Sequence, residues 1–283
     1  MCGDGWDAMI VATGQNVFDR SGRRIPTKDM RVFGQVSRGY YQLLQPALDF
    51  DAIFDRSFRH THAAPSVTVE VFTAACEGLR EGLERDPVLA PLLNGVHVPF
   101  VCPKDESDRD LGEEFESLWL PSVGRSFLEA FPDLHFKATL QGQLPLPGHV
   151  KVAEASRYDQ FLQARRRGTV VGWYFPMALL EYDVASQRKQ LADLPRPDSL
   201  VLSGGCDVAA ALVGSPSLLV NADVYPPVLC LSGLQHDDPR LMLCFKAYGL
   251  SLEFWGLSQM LTPTITQVSE QWAGGLTCFT VVA

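Results

Sequence analysis

The stretch SLVLSGGCDVAAAL, residues 199–212, decides how the chain is read. Leu200, Val201 and Leu202 make a short apolar run, Gly204 and Gly205 follow, and the alanine-rich tail that comes next suits only a helix. Strand, tight turn and helix in this order point to an α/β protein. Two adjacent glycines are expected to let the backbone turn at positive φ and to let a ligand come close to the main chain. The first turn of a helix has N–H groups without intrahelical partners and a partial positive charge. Cys206 and Asp207 therefore fall where an anion or a reactive group is favoured.

The neighbouring segments extend the alternation. Residues 135–140 and 149–153 read as strands around a Pro-Leu-Pro-Gly turn, and Ser156 can cap a helix over 157–167. Residues 169–175, which include Trp173 and Tyr174, are continuously apolar, as in a strand covered on both faces. A helix through Leu180, Val184, Leu191 and Leu194 would lead into the central stretch. This rhythm predicts a mixed, largely parallel sheet with crossover helices. After Gly214 the segments 227–231, 241–247, 250–255 and 276–282 are strand-like, with Tyr248-Gly249 as a hairpin turn, so a C-terminal antiparallel β extension is expected.

Upstream, residues 71–85 carry an amphipathic helix, and 96–101 a strand that Pro99 assigns to a sheet edge. Asp110 with Glu113 marks a helix start, and Phe115, Trp119, Val123, Phe127 and Phe131 form a stripe for packing on a sheet, with Pro121 kinking or splitting the helix. Residues 31–48 have a helical apolar spacing, and 8–12 read as a short strand. The expected organisation is a single α/β domain over residues 1–283. The alternative division is a mainly helical 1–134 and a sheet-rich 135–283.

A net charge of −9 and a pI near 5.1 argue against nucleic acid or an anionic membrane as the main partner. No apolar run reaches the length of a membrane span, and the N-terminus lacks the pattern of a signal peptide, so a cytoplasmic setting is expected. The seven scattered cysteines contain no C-x-x-C pair and read as reduced thiols.

Ser203-Gly204-Gly205-Cys206-Asp207 after a strand resembles the phosphate loop of the N-type ATP pyrophosphatases, a family that includes asparagine and GMP synthetases and carries the signature S-G-G-x-D-S. Met1-Cys2-Gly3 resembles the start of the glutaminase half of asparagine synthetases. The resemblance implies that Ser203 and the glycine amides hold pyrophosphate, that Asp207 helps place Mg²⁺, and that the N-terminal Cys is a nucleophile. Val208 stands where the family has a hydroxyl residue.

Read on their own residues, the candidates stay open. Cys206 is either a nucleophile activated at a helix N-terminus, with His236 or His149 as base, or a small buried residue beneath the turn. Asp207, or the cluster His236-Asp237-Asp238, could divide acid and base roles. His60-Thr-His62 lacks a supporting carboxylate, and no downstream histidine completes the pattern begun by His236 and Asp238, so neither a metal nor another cofactor is expected. Ligands of open α/β sheets bind beyond the carboxyl ends of strands. That rule groups Trp173, Tyr174, Ser203, Gly204 and Gly205 as a substrate pocket beside catalytic Asp207, His236 and Cys206. The expectation is a small-molecule enzyme, such as a cyclase, isomerase, lyase or hydrolase, that uses acid/base chemistry on a largely apolar substrate. A Cys206-dependent hydrolase or acyltransferase and a non-catalytic ligand-binding protein stand beside it, with a homodimer as one option for assembly.

Overall fold

The computed structural model describes residues 16–107, 109–138, 145–191, 194–195, 199–262 and 265–282. In chain order its helices are α1 (Phe50–Thr61), α2 (Val69–Glu84), α3 (Leu111–Glu114), α4 (Leu120–Ala130), α5 (Tyr158–Arg167), α6 (Val184–Lys189) and α7 (Cys206–Gly214). The strands are β1 (Val98–Cys102), β2 (His135–Ala138), β3 (Val150–Val152), β4 (Thr169–Leu180), β5 (Leu200–Leu202) and β6 (Val228–Cys230), then β7 (Leu234–His236), β8 (Leu241–Tyr248), β9 (Ser251–Ser258), β10 (Met260–Thr262), β11 (Ile265–Thr266) and β12 (Trp272–Val282).

The main sheet has the order β1-β4-β12-β6-β8-β9-β2, and β5 joins it beside β12. The α/β class and the mixed sheet agree with the sequence reading, and β1 lies at an edge as Pro99 requires. The largely parallel character does not hold. Among the described residues only β12–β6 and β2–β9 are parallel, while β1–β4, β4–β12, β5–β12, β6–β8 and β8–β9 are antiparallel. The decisive stretch does form strand, turn and helix, yet β5 runs antiparallel against Leu276, Thr277 and Cys278. The glycine turn is therefore not part of a β-α-β crossover. After Gly214, β6, β8 and β9 supply the expected antiparallel extension, whereas β12 fills the middle of the sheet, from Ala273 opposite Leu180 to Val282 opposite Thr169.

Alternation along β4 explains why it is apolar throughout. Val170 and Tyr174 enter the core shared with Phe115, Trp119, Val123, Phe127 and Phe161. Val171, Trp173 and Phe175 enter the opposite core with Phe58, Phe72 and Cys76. Helix α2 packs on β4 and β12 on that second side, α5 covers the same two strands from the first, and α1 closes the β1 edge against α7. Four members of the aromatic stripe, Phe115, Trp119, Val123 and Phe127, are almost inaccessible to water, each contributing about 2 kcal/mol of burial.

The Asp110 capping box is present as expected, its carboxylate accepting from the Gly112 and Glu113 amides. Pro121 is accommodated by a π turn over Phe115–Trp119, after which α4 starts afresh with the proline in its first turn.

Two helices expected from spacing are corrected. Residues 31–48 form an irregular strap that touches the body through isolated bridges, Val32 to Tyr182 and Tyr41 to Tyr225, and Val36 is 82% exposed. The strap is held by a buried ion pair. Arg23 lies 3.2 Å from Glu181 and donates to the carbonyls of Leu180 and Gly34, while Ser37 donates to Glu181. The helix drawn through Leu180 and Leu194 shrinks to α6, because β4 runs on to Leu180. The strand expected at residues 8–12 lies outside the described residues. Among the described residues no helix is long and apolar enough to cross a membrane.

Candidate functional site

Helix α7 is buried along its whole length, so its first amides must find partners inside the protein. They do. The Gly204 N–H donates to Asp207 Oδ1 at 3.0 Å, and the Cys206 N–H donates to the Tyr158 hydroxyl at 2.9 Å. That hydroxyl donates in turn to Asp207 Oδ1 at 2.9 Å. Thr277 donates to Asp207 Oδ2, and its oxygen lies 2.8 Å from Ser203 Oγ. The Ser203 N–H is taken by the Gly275 carbonyl at 2.9 Å. A phenol and a carboxylate of the protein itself thus occupy the place where a guest anion would sit.

The glycines are explained by the same packing. Gly205 has φ −91°, and neither glycine of the pair is in the left-handed region, which corrects the expected positive-φ turn. A Cβ at Gly204 would stand 2.4 Å from Tyr158 Cζ, and one at Gly205 would stand 2.7 Å from Phe115 Cε2. Bare backbone is required there by two aromatic rings of the core.

Burial pushes the Asp207 carboxyl above its ordinary range, against the opposing pull of its hydrogen bonds from Thr277, Tyr158 and Gly204. The Tyr158 phenol is driven well up by burial and then by Asp207. The Cys206 thiol is also driven well up, by burial first and then by Glu114, with Arg165 opposing. Fully buried and pushed in this direction, Cys206 fits the second of its two readings, a small buried residue beneath the turn. The phosphate-loop resemblance stops at the sequence here, since Tyr158 fills the space beside Gly204. Met1-Cys2-Gly3 lies outside the described residues.

The other expected members do not converge on the turn. Tyr174 and Trp173 face opposite sides of β4. Trp173 donates to the Cys76 carbonyl at 2.8 Å, and the Tyr174 hydroxyl is buried without a hydrogen-bond partner among the described residues. His236 ends β7, accepts from the Asp238 amide at 3.0 Å and stacks on His149 with ring centroids 5.8 Å apart. Asp237 is taken up by Lys151 at 3.0 Å and Asp238 by Arg240 at 2.6 Å, the latter contact holding Asp238 at about 2. Among the described residues no hydrogen bond joins His236 to Cys206 or Asp207. His60 lies inside α1 and His62 is its left-handed cap, and no group of three or more described His, Cys, Asp or Glu residues is placed to hold a metal ion.

Sequence reasoning missed Tyr158, Thr277, Glu114 and Arg165. Glu114 and Arg165 form a buried pair at 2.7 Å, Trp119 Nε1 donates to the same carboxylate at 2.9 Å, and the Cys206 Sγ stands 3.9 Å behind it. Arg165 belongs to the Arg165-Arg166-Arg167 run, and only its i, i+7 spacing from Tyr158 on one helix would have hinted that it turns inward.

Among the described residues, two main depressions are open to solvent, with a smaller one of about 490 Å³ beside Lys104, Arg109 and Arg166. One, of about 610 Å³, lies beside the Glu114–Arg165 pair next to residues 103–107 and Arg109. The larger, of about 730 Å³, lies between the 219–226 loop and the β8–β9 hairpin. Phe127, Leu134, Leu219, Val220 and Leu252 give the larger one apolar walls, Tyr41, Tyr225 and Tyr248 an aromatic rim, and Lys246 an ammonium group. Tyr225 is braced by stacking on Tyr40, with centroids 5.1 Å apart. Neither depression is lined by Asp207, His236, Cys206, Tyr174, Trp173, Ser203, Gly204 or Gly205. No protein-family model, no curated protein and no solved structure matches this chain.

Proposed function

We propose that the protein binds a small, largely apolar molecule in the cleft beside the β8–β9 hairpin, and that the polar cluster at the glycine turn serves the core rather than catalysis. The observation that carries this reading is the cleft, whose volume of about 730 Å³ falls within the ~300–1,000 Å³ usual for small-molecule sites. Its lining supports the same reading, with aliphatic and aromatic walls interrupted by the polar groups of Asn221, Asp223, Lys246, Ser251 and Gln271. Covering about 200 Å² of ligand apolar surface there would contribute ~5 kcal/mol before the costs of association, equivalent at most to a Kd of about 0.2 mM, so the polar groups of the cleft must supply the rest of any tighter binding. The six described cysteines, all free and buried, suit a cytoplasmic setting.

The test is a fluorescence titration with Nile red, a neutral dye that brightens in apolar surroundings. Saturable binding is expected, and Ala247→Trp, which places an indole in the cleft, should weaken it by at least about tenfold while the variant melts as a folded protein. Unchanged binding in that variant would remove the cleft from consideration.

A further inference from the structure

Glu253 stands opposite Lys246 on β8 and opposite Lys137 on β2, because β9 pairs in register with both strands. Its carboxylate lies 3.4 Å from the Lys246 ammonium and 3.6 Å from that of Lys137. One buried carboxylate therefore serves two cations, and one positive charge is left over. Lys246 lines the cleft and Lys137 does not.

The Lys246 ammonium lies 4.0 Å from the Trp255 ring centroid and 5.4 Å from that of Tyr248. Aromatic faces hold a cation in place without neutralising it. Asp223, the other charged residue lining the cleft, is exposed on the 219–226 loop, where water and salt screen it. Side chains alternate along β8 and β9, so Lys246 and Tyr248 belong to one face of the sheet and Ala247 and Leu252 to the other. All four line the cleft, which therefore draws on both faces of the hairpin next to its Gly249-Leu250 turn. Phe127, Leu134 and Leu252 contribute apolar wall to it, and Lys246 contributes a basic residue from the other face of the hairpin.

We infer that the ligand is an apolar monocarboxylic acid, its body against Phe127, Leu134 and Leu252 and its carboxylate on Lys246. On binding, Lys246 turns from Glu253 to the ligand, and Glu253 keeps Lys137 as its partner. The inference rests on the cleft being the ligand site.

Displacement of Nile red by octanoic acid and by 1-octanol at neutral pH separates the two claims. The acid should displace the dye at a concentration at least about tenfold below that of the alcohol. Lys246→Met should abolish the preference and leave the alcohol unchanged. Glu253→Gln, which removes the competing carboxylate, should widen the preference severalfold. It decides the matter if the Lys246 variant does not fold. Equal potency of acid and alcohol in the parent overturns the inference, as does a preference that survives Lys246→Met or fails to widen in Glu253→Gln. Octylamine displacing better than the acid, with the advantage lost in Asp223→Asn, would overturn it in favour of a cationic ligand. Octyl sulfate displacing better than octanoate would overturn the carboxylate assignment. Failure of Nile red to bind at all would instead remove the functional reading beneath it.

Discussion

Replacing Tyr158 with phenylalanine isolates the role of one hydroxyl, because the ring that fills the space beside Gly204 is kept. The hydroxyl donates to Asp207 Oδ1 at 2.9 Å and accepts from the Cys206 N–H at 2.9 Å. Losing the first contact removes a hydrogen bond to a charge-bearing group, worth roughly 1.5–3 kcal/mol, and losing the second leaves a buried N–H unpaired, at roughly 1–3 kcal/mol. Part of this overlaps, since Asp207 retains Thr277 and Gly204 as donors, and a net loss of about 3–5 kcal/mol is expected. Unfolding entropy of about 2.1 cal/mol/K per residue over 283 residues turns that loss into a Tm lower by about 5–8 °C. Calorimetry of parent and variant reads the shift, and Nile red titration of the same samples reads the cleft. The reasoning is refuted if the variant melts within about 1 °C of the parent, or if ligand binding collapses while Tm holds. The second result would return the glycine turn to the status of a functional site.

Other consequences can be checked in parallel. Asp207 has its folded pKa above the ordinary value of about 4, so the folded state holds the proton more tightly. Its contribution to stability falls as pH rises from about 4 through the folded pKa; urea denaturation should show Asp207→Asn gaining on the parent across that window, and a flat difference would contradict the sign. Arg165→Met leaves the Glu114 carboxylate buried without its guanidinium, a change expected to cost about 3–5 kcal/mol in urea denaturation, against a smaller loss in Glu114→Gln. The six described cysteines are buried, and burial drives Cys102 and Cys230 up to about 12 and Cys76, Cys206 and Cys244 up as well. In a Cys2→Ser variant, iodoacetamide at neutral pH should leave the native protein unlabelled by mass spectrometry. Rapid modification of Cys206 alone would revive the nucleophile.

Local signals in the sequence proved legible, and long-range partnerships did not. The capping box at Asp110, the β8–β9 hairpin (its turn one residue on from the expected place, at Gly249-Leu250), the edge position of Pro99 and the doubly covered β4 each follow from residues a few places apart. Strand direction does not, because the partner of β5 lies in β12 and nothing near Leu200 announces it. The same limit governs the glycine turn. Gly204 and Gly205 look like room for a ligand when read along the chain, and only the folded arrangement brings the Tyr158 and Phe115 rings into that room. The cleft was equally hidden, since its walls come from α4, the 219–226 loop and β8–β9, and its cation is meaningful only beside Glu253 and Lys137. Residues 31–48 misled for a further reason: a four-residue spacing of apolar groups also fits a strap that leaves Val36 in water and is anchored by Arg23 and Glu181.

The central place of β12 also bears on synthesis. Strands β4 and β6 are made well before residues 272–282, yet each uses that late strand as a neighbour. Until it arrives, β4 has one edge without its ladder and the β6–β8–β9 ribbon is unattached to the rest of the sheet. Pairings so distant in sequence slow folding and prolong exposure of open strand edges. A nascent chain stalled before residue 272 should therefore collect chaperones and aggregate.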